Sequence, residues 1–453
     1  MKLWLPMLFL GAFFTAAELS AKAQAPGIKD LYALALQQDP LWHAAQKERE
    51  AENQQQNIAR ADLLPDLRLN YQHTPYNDQE SSGPQTISGK TYQLSSSRRY
   101  ASHNGTLTLT QTLFDYGAWS RFKASVELGL MADERLREKA MDLAIRLINH
   151  YLDAGLAQQK ILIAESQEKA LQEQYKLNMR LLEAGEGTRT DVLETEARLR
   201  LAKTEIISLQ DDLDAARSEL AAMLGLSPTK LERIRDNVTN HFKPQLLHPA
   251  KFEDWQALTL KQSAAITEAR HKVIAARREV QAQYGEFMPL VNLYASHSLS
   301  KSATNSSIDQ RYETSSMGIQ VNVPLYSGGR SAASTKQAGA RLGQNQYLLE
   351  NIIRTTLNEL HKSWRQCSGI QDRLQAYNLA VKSARLQLTA TQKGVLAGQR
   401  INLDVLDAER QLYSTRLDLV TEKYSYIRAW LMLHYYSGKL SQEVIETIDN
   451  YFQ

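Results

Sequence analysis

Cysteine occurs once in 453 residues, at Cys367. No disulfide can therefore form within the chain, and no cysteine-rich metal framework applies. The ten histidines are scattered and never fall at metal-ligand spacing, so no metal and no cofactor is expected. No phosphate-cradling loop and no nucleophile elbow occurs, which leaves no visible enzyme and places any energy source in another protein. The 53 basic and 50 acidic residues nearly balance at a net charge of +3. Without a basic block or an RNA-binding motif, a nucleic-acid partner is not expected. Proline is scarce where it matters most: none lies between Pro84 and Pro228, and none follows Pro324. Breaker-free tracts of that length, rich in Ala, Leu, Gln, Glu, Lys and Arg, favour very long helices.

Long apolar runs are also missing, with one exception. Leu3 to Ala17 follows the basic Lys2 and precedes Ala21-Lys22-Ala23. This is the pattern of a secretory signal peptide over residues 1–23, and the run is short for a spanning helix. No other stretch is long enough to cross a membrane as a helix. The leader holds no cysteine, so lipid attachment at a mature N-terminal cysteine is not expected. Cys367 itself lies on the stripe Ile353, Leu357, Leu360, Trp364, Cys367, Leu374, which predicts a buried core thiol rather than a redox group.

What the chain does contain, it contains twice. AGEGTRTDVLE at 184–194 returns as AGQRINLDVLD at 397–407, an offset of 213. LFDYGAW at 113–119 is similar to PLYSGGR at 324–330, an offset of 212 when Gly117 is matched to Gly329, and LLPDLRLNY at 63–71 to FMPLVNLYA at 287–295, an offset of 224. Three landmark pairs in one order indicate a tandem duplication, far too long in period for a solenoid. The expected layout is a first repeat over 24–235, a connector at 236–255 and a second repeat over 256–453. In the first repeat, helix 41–62 precedes strands at about 67–73 and 105–114, long helix 116–182 and helix 191–225. In the second, helix 256–286 precedes strands at about 291–299 and 314–326, long helix 329–396 and helix 403–436. Polar loops are expected at 74–103 and 300–313.

The four strands alternate. Leu67, Leu69 and Tyr71 interleave with Arg68, Asn70 and Gln72; Met317, Ile319, Val321, Val323 and Leu325 interleave with Ser316, Gly318, Gln320 and Asn322. Such a pattern fits either a half-buried sheet on a soluble core or a membrane barrel wall with lipid outside and water inside. The helices favour the second reading, because a tract such as 116–182 spans roughly 100 Å and no compact sheet domain requires that. The helix after the first AG turn keeps a heptad: Val192, Leu199, Ile206, Leu213 and Leu220, with Thr195, Ala202, Leu209, Ala216 and Met223 in the alternate seam. Its second-half counterpart adds a stripe, Leu403, Leu406, Tyr413, Leu417, Val420, Tyr424, Ile427 and Leu431, as expected of a helix packed between two neighbours. Four strands cannot close a barrel, and open edges are not tolerated in lipid. Three chains would supply twelve strands.

With these features in place, DPLWHAA, ARADLLPDL, TLTQTLFDYGAW, AGEGTRTDVLE, GEFMPLVNL, VNVPLYSGGR and AGQRINLDVLDAERQLY, in that order, resemble the TolC-type outer-membrane channel family of Gram-negative bacteria. The resemblance spans essentially the whole chain beyond the leader. It implies an α+β membrane protein: a homotrimer with a twelve-stranded barrel in outer-membrane lipid, a long α-helical barrel in the periplasm and a small mixed equatorial domain. Residues 24–40, 226–254 and the tail after about 437 would form that domain. It also implies a passive exit duct that works with a periplasmic adaptor and an inner-membrane ABC transporter or proton-driven pump. Type I protein secretion is favoured over drug efflux, since many drug-efflux members are lipoproteins. A periplasmic adaptor is a remoter alternative; adaptors usually have a single hairpin.

The resemblance also assigns sites. The AG turns become the periplasmic tips, with Gly185, Thr188, Arg189 and Gly398 where an adaptor docks. Asp404 and Asp407 would form a cation-selective ring, and Arg400 would link to Asp191 to hold the tips closed. The family often has a tyrosine where this chain has Val395, so one restraint is missing; Arg189 is an extra cation near the turn. Without the resemblance, Asp404 and Asp407 read equally as solvated first-turn acids, and Thr188 with Asp191 as a capping pair.

Overall fold

The computed structural model describes residues 26–231, 238, 242–302 and 310–452; the expected leader and part of the 300–313 loop lie outside them. Helices α1 (Ile28–Gln38) and α2 (Pro40–Ala61) lead into strands β1 (Asp66–Ile87) and β2 (Lys90–Phe114). Helices α3 (Tyr116–Glu183) and α4 (Arg189–Leu224) form the first hairpin. The second half repeats the order with α5 (Phe252–Gln262), α6 (Ala264–Gly285), β3 (Leu290–Ser302), β4 (Gln310–Asn322), α7 (Arg330–Ser368), α8 (Ile370–Leu396) and α9 (Asn402–Tyr436), then α10 (Gln442–Asp449). The offset of 224 carries α1 onto α5, α2 onto α6 and the start of β1 onto the start of β3, residue for residue.

That correspondence corrects the single helix expected over 256–286. Asp39 breaks α1 from α2: its backbone is extended, its carboxylate accepts from Trp42 N at 2.9 Å, and Pro40 sits at the first helical position. Arg146 holds the same carboxylate at 2.7 Å, where Asp39 is almost fully buried. Ser263 makes the matching break between α5 and α6 with φ −61° and ψ 126°. No proline accompanies it, so nothing in the local sequence marked the boundary.

The first long helix is continuous for 68 residues, about 100 Å at ~1.5 Å per residue. Asp115 starts it by accepting from Ala118 N at 2.8 Å. The second, expected unbroken over 329–396, is interrupted at Gly369. There the Arg373 side chain donates to the Gln366 carbonyl, the acceptor that Ile370 N–H would use in an unbroken helix. A β-carbon on Gly369 would sit 2.7 Å from that guanidinium. A second glycine contact joins the halves: a β-carbon at Gly285 would lie 2.5 Å from Gly117 N. Helices α6 and α3 therefore approach backbone to backbone just below the sheet.

The main core sits midway along the helices. Leu143, Leu147, Ile148, Tyr151 and Leu152 of α3 pack with Leu220 and Leu224 of α4 and Tyr426, Ile427 and Leu431 of α9. Helix α10 and the segment at 238 close over this point. Tyr151 meets Phe452 edge-on at 5.1 Å between ring centroids, Val238 bridges Phe452, and Ile28 N donates to Asp449 Oδ1 at 2.7 Å. Cys367 is buried in this core, and burial pushes its thiol up to about 12.

The four strands form one antiparallel sheet in the order β1-β2-β3-β4. Register aligns the alternation across all of them. Leu67, Leu109, Ala295 and Met317 make one row; Arg68, Thr108, Ser296 and Ser316 make the next, on the opposite face. The apolar face is bare: Leu67 is 65%, Leu69 72%, Met317 78% and Ile319 64% exposed. Among the described residues no helix packs on it, which removes the half-buried soluble sheet as an explanation.

Two strand expectations need correction. The loop expected at 74–103 is a continuation of β1 and β2, paired as far as Ile87 with Lys90 and closed by Ser88 (φ 53°) and Gly89 (φ 80°), the positive-φ pair of a tight hairpin turn. Beyond His73 both faces are mostly polar, with Tyr76, Ile87, Tyr92 and Leu94 scattered among them, so the regular apolar alternation ends although the pairing does not. Pro75 falls in the register shift between Thr74 and Asn77, and Pro84 sits on an edge strand where its missing N–H is harmless. Conversely β4 ends at Asn322 instead of 326, because Asn322 is already opposite Leu290, the first residue of β3, and Pro324 follows. Val323 and Leu325 continue the alternation with no strand to pair with.

Candidate functional site

The ends of the two helical hairpins farthest from the sheet carry the residues singled out in the sequence. Both turns are built alike. After α3, Gly185 takes φ 74°, Glu186 N donates to Leu181 O at 2.9 Å and Gly185 N to Leu182 O at 3.0 Å. After α8, Gly398 takes φ 70°, Gln399 N donates to Gly394 O at 2.8 Å and Gly398 N to Val395 O at 2.9 Å. Only glycine adopts that left-handed position without strain, which is why each copy reads AG.

The next helices start differently. Thr188 and Asp191 form a full capping box: Asp191 N donates to Thr188 Oγ1 at 3.1 Å, and Asp191 Oδ2 accepts from Thr188 N at 3.3 Å and from its hydroxyl at 2.6 Å. The second copy has Ile401 at the cap, which offers no acceptor. Only half a box exists there, with Asp404 Oδ2 accepting from Ile401 N at 3.4 Å. Arg400 pairs with Asp404 at 3.7 Å; the arginine is exposed and the acid partly so. Asp407 meets Arg198 of α4 at 3.4 Å, a cation the sequence reading did not single out. Within one chain, then, Arg400 and Asp191 each have another partner, and the expected link between them is not made. Arg189 is exposed at the start of α4.

Beneath these exposed groups lies a polar cluster that sequence reasoning missed. Gln174 and Asn178 of α3, Thr195 of α4 and Asn402 of α9 are all buried. Asn402 Oδ1 accepts from Gln174 Nε2 and from Asn178 Nδ2, both at 3.0 Å; Asn178 Nδ2 also reaches Thr195 Oγ1 at 2.8 Å; Asn402 Nδ2 reaches Thr195 Oγ1 at 3.3 Å. Thr195 donates to the Asp191 carbonyl at 2.8 Å. The cluster ties the tip of the first hairpin to the tip of the second. Its signal was present: with Leu171, residues 174 and 178 complete a stripe at helical spacing, occupied by amides.

Glu409 was missed for a related reason. It fills the gap between Leu406 and Tyr413 in the second stripe of α9 and is only 5% exposed. One of its carboxylate oxygens, like the Tyr413 hydroxyl one turn on, has no hydrogen-bond partner. Burial raises its pKa to about 7. Glu409 lies at the inner end of a groove of about 970 Å³ between the hairpins, lined also by Leu177, Asp191, Val395 and Arg400. The described residues contain no group of three or more metal-capable side chains. The tips can fasten two hairpins together, bear a concentration of exposed carboxylates and respond to protons.

Comparison with known proteins finds relatives along most of the chain. The family model of outer membrane efflux proteins matches residues 31–226 and 255–439, one block in each repeat. The alkaline protease secretion protein AprF of Pseudomonas aeruginosa is 40% identical over 438 residues, covering 97% of this chain and 89% of AprF. The proteases secretion protein PrtF of Dickeya chrysanthemi is 37% identical over 442 residues, covering 95% and 92%. Among solved structures, the outer membrane protein VceC of Vibrio cholerae superposes with a TM-score of 0.78 at 20% identity, over 91% of this chain and 96% of that one.

Proposed function

The chain belongs to the outer membrane efflux protein family, and from that premise we propose that it is the outer-membrane exit duct of a type I, ABC transporter-driven protein secretion system. The observation that carries this reading is whole-length identity of 40% and 37% to two protease secretion proteins. The bare apolar sheet face and the unpaired edges of β1 and β4 support a homotrimer, in which three four-stranded sheets close one barrel of twelve strands in outer-membrane lipid. The long hairpins continue it as a periplasmic tunnel, with the packing around α1, α5 and α10 as its equatorial collar. A periplasmic adaptor docks on the tips around Gly185, Thr188, Arg189 and Gly398 and joins the duct to the inner-membrane transporter. The duct itself catalyses nothing.

The discriminating experiment is deletion of the gene, followed by comparison of secreted proteins and drug tolerance with the parent strain. Loss of a secreted protease or lipase with drug tolerance unchanged is expected. Unchanged secretion with increased drug sensitivity overturns this reading in favour of a proton-driven efflux pump.

In the trimer, Asp404 and Asp407 from three chains present six carboxylates around one axis, a ring that favours cations. Arg400 and Asp191 then meet across neighbouring subunits, with Arg400 exchanging its Asp404 contact for the new one. Asp404→Ala with Asp407→Ala is expected to reduce cation-over-anion permeability by about tenfold and to abolish block by multivalent cations, both read in planar bilayers. Unaltered selectivity would place these acids away from the constriction.

A further inference from the structure

The strand register sets four nitrogen-bearing side chains in one row across the sheet: His73 faces His103, His103 faces Lys301, and Lys301 faces Arg311. Facing residues share a face, and this row shares the face of Leu67, Leu69, Leu109, Ala295 and Met317. Lys301 and Arg311 therefore point toward lipid, where charges are costly unless they meet an interface. Their height shows which interface. Ten residues separate Val291 from Lys301 on β3, and ten separate Arg311 from Val321 on β4, with the two valines facing each other in the first paired row of this face on the helix side. At ~3.3 Å per residue and a tilt of about 40°, that is roughly 25 Å of vertical rise, the thickness of an outer-membrane apolar band. The row thus lies at the rim farthest from the helices. Tyr71, one row below, is 67% exposed on the same face and meets His103 Nδ1 through its hydroxyl at 3.0 Å, as an interfacial aromatic does. His73 and His103 stack at 4.2 Å between ring centroids. Among the described residues the acid on this face one row below is Glu313, opposite Leu299, with the His297 imidazole at 3.7 Å.

We propose that this row binds the phosphate groups of an anionic glycolipid of the outer leaflet, through Lys301 and Arg311 with the two imidazoles beside them. Charge complementarity selects the occupant, since a lipid-facing cation at headgroup depth meets phosphate before any other anion. Bound lipid would also cover the unpaired outer reaches of the sheet face, where the apolar side chains end and the long β1–β2 hairpin leaves the membrane. Repetition of the row around a closed barrel rests on the proposed trimer; lipid binding to each sheet does not.

The test uses the full-length purified protein in detergent, with bound lipid counted per chain by native mass spectrometry. The probes are lipid A bearing both phosphates, the same lipid with its phosphates removed, and inorganic phosphate. Phosphorylated lipid A is expected to bind about tenfold more tightly than the dephosphorylated form. K301Q with R311Q should erase that ratio, and K301R with R311K should keep it. Equal affinity of the two lipids for the wild-type protein, or an undiminished ratio in K301Q/R311Q, overturns the proposal. So does full displacement of phosphorylated lipid A by millimolar inorganic phosphate, which would mark a free-anion site instead. Should the double variant fail to assemble, R311Q alone carries the test, with at least a threefold fall in the ratio expected and no fall overturning it. Because the readout is lipid affinity, loss of this proposal leaves the secretion reading untouched, and the deletion experiment leaves this one untouched.

Discussion

Asn402→Ala is expected to increase hydrogen exchange at the first turns of α4 and α9 by about a hundredfold, with exchange near the equatorial core unchanged. Asn402 is the acceptor for both Gln174 and Asn178 and a donor toward Thr195, and all four side chains are buried. Truncation removes the shared acceptor while leaving amide N–H groups where water cannot easily reach them. A buried donor left without its partner costs about 1–3 kcal/mol, and two weakened donors in one network place the total near 3 kcal/mol. A loss of that size, at about 1.4 kcal/mol per decade, corresponds to roughly two decades in local opening. Exchange within threefold of the wild type would mean that the amide cluster fills space without fastening the hairpins. A double cycle with Gln174→Leu separates the two, because fastening predicts that the losses fail to add. The same loosening should appear as a larger resting conductance, since the cluster is the one buried polar tie described between the hairpin tips.

Glu409→Gln is expected to act in the opposite direction and to depend on pH. Burial without a cationic partner raises the folded-state pKa of Glu409 from 4.5 to about 7. A group whose folded pKa is raised contributes stability that is fully present below its unfolded value and is lost as pH rises through the folded value. The wild-type tips should therefore lose protection as pH climbs from about 4.5 past 7, by roughly 3 kcal/mol per chain when the shift is converted at ~1.36 kcal/mol per unit. Glutamine has the same shape and no charge, so the variant should hold its low-pH protection at pH 8 and show no slope. Hydrogen exchange at α9 measured from pH 5 to 8.5, corrected for the intrinsic rate, reads this directly. A wild-type tip with no slope would show that the carboxylate is solvated in the assembled protein. The expected consequence is a tip that loosens as its surroundings turn alkaline, independent of the acids at 404 and 407.

Much of the architecture was legible because its signals are local and periodic. The heptad at Val192 and the stripe at Leu403 located the paired helices, alternation at Leu67 and Met317 located the strands, and the two AG turns needed glycine at a left-handed position that both copies adopt. Boundaries failed where no breaker residue marked them. Ser263 divides a helix by its own backbone angles, and Gly369 does so only because Arg373, four residues on, captures a carbonyl. The outer hairpin failed as a signal because both of its faces meet water, so pairing persists with no apolar face to display it.

Residue order alone was enough for the duplication, the alternation of helical and strand segments, the two-sided sheet and the family, because each rests on spacing that neighbouring residues impose on one another. The fate of individual polar groups was decided elsewhere. Whether Asn402 and Glu409 meet solvent, whether Arg400 takes Asp404 as its partner, and whether two histidines, a lysine and an arginine far apart in sequence share one row are matters of which elements stand side by side. Hydrogen-bond partners and desolvation are properties of that arrangement, and no periodicity along a single segment encodes them.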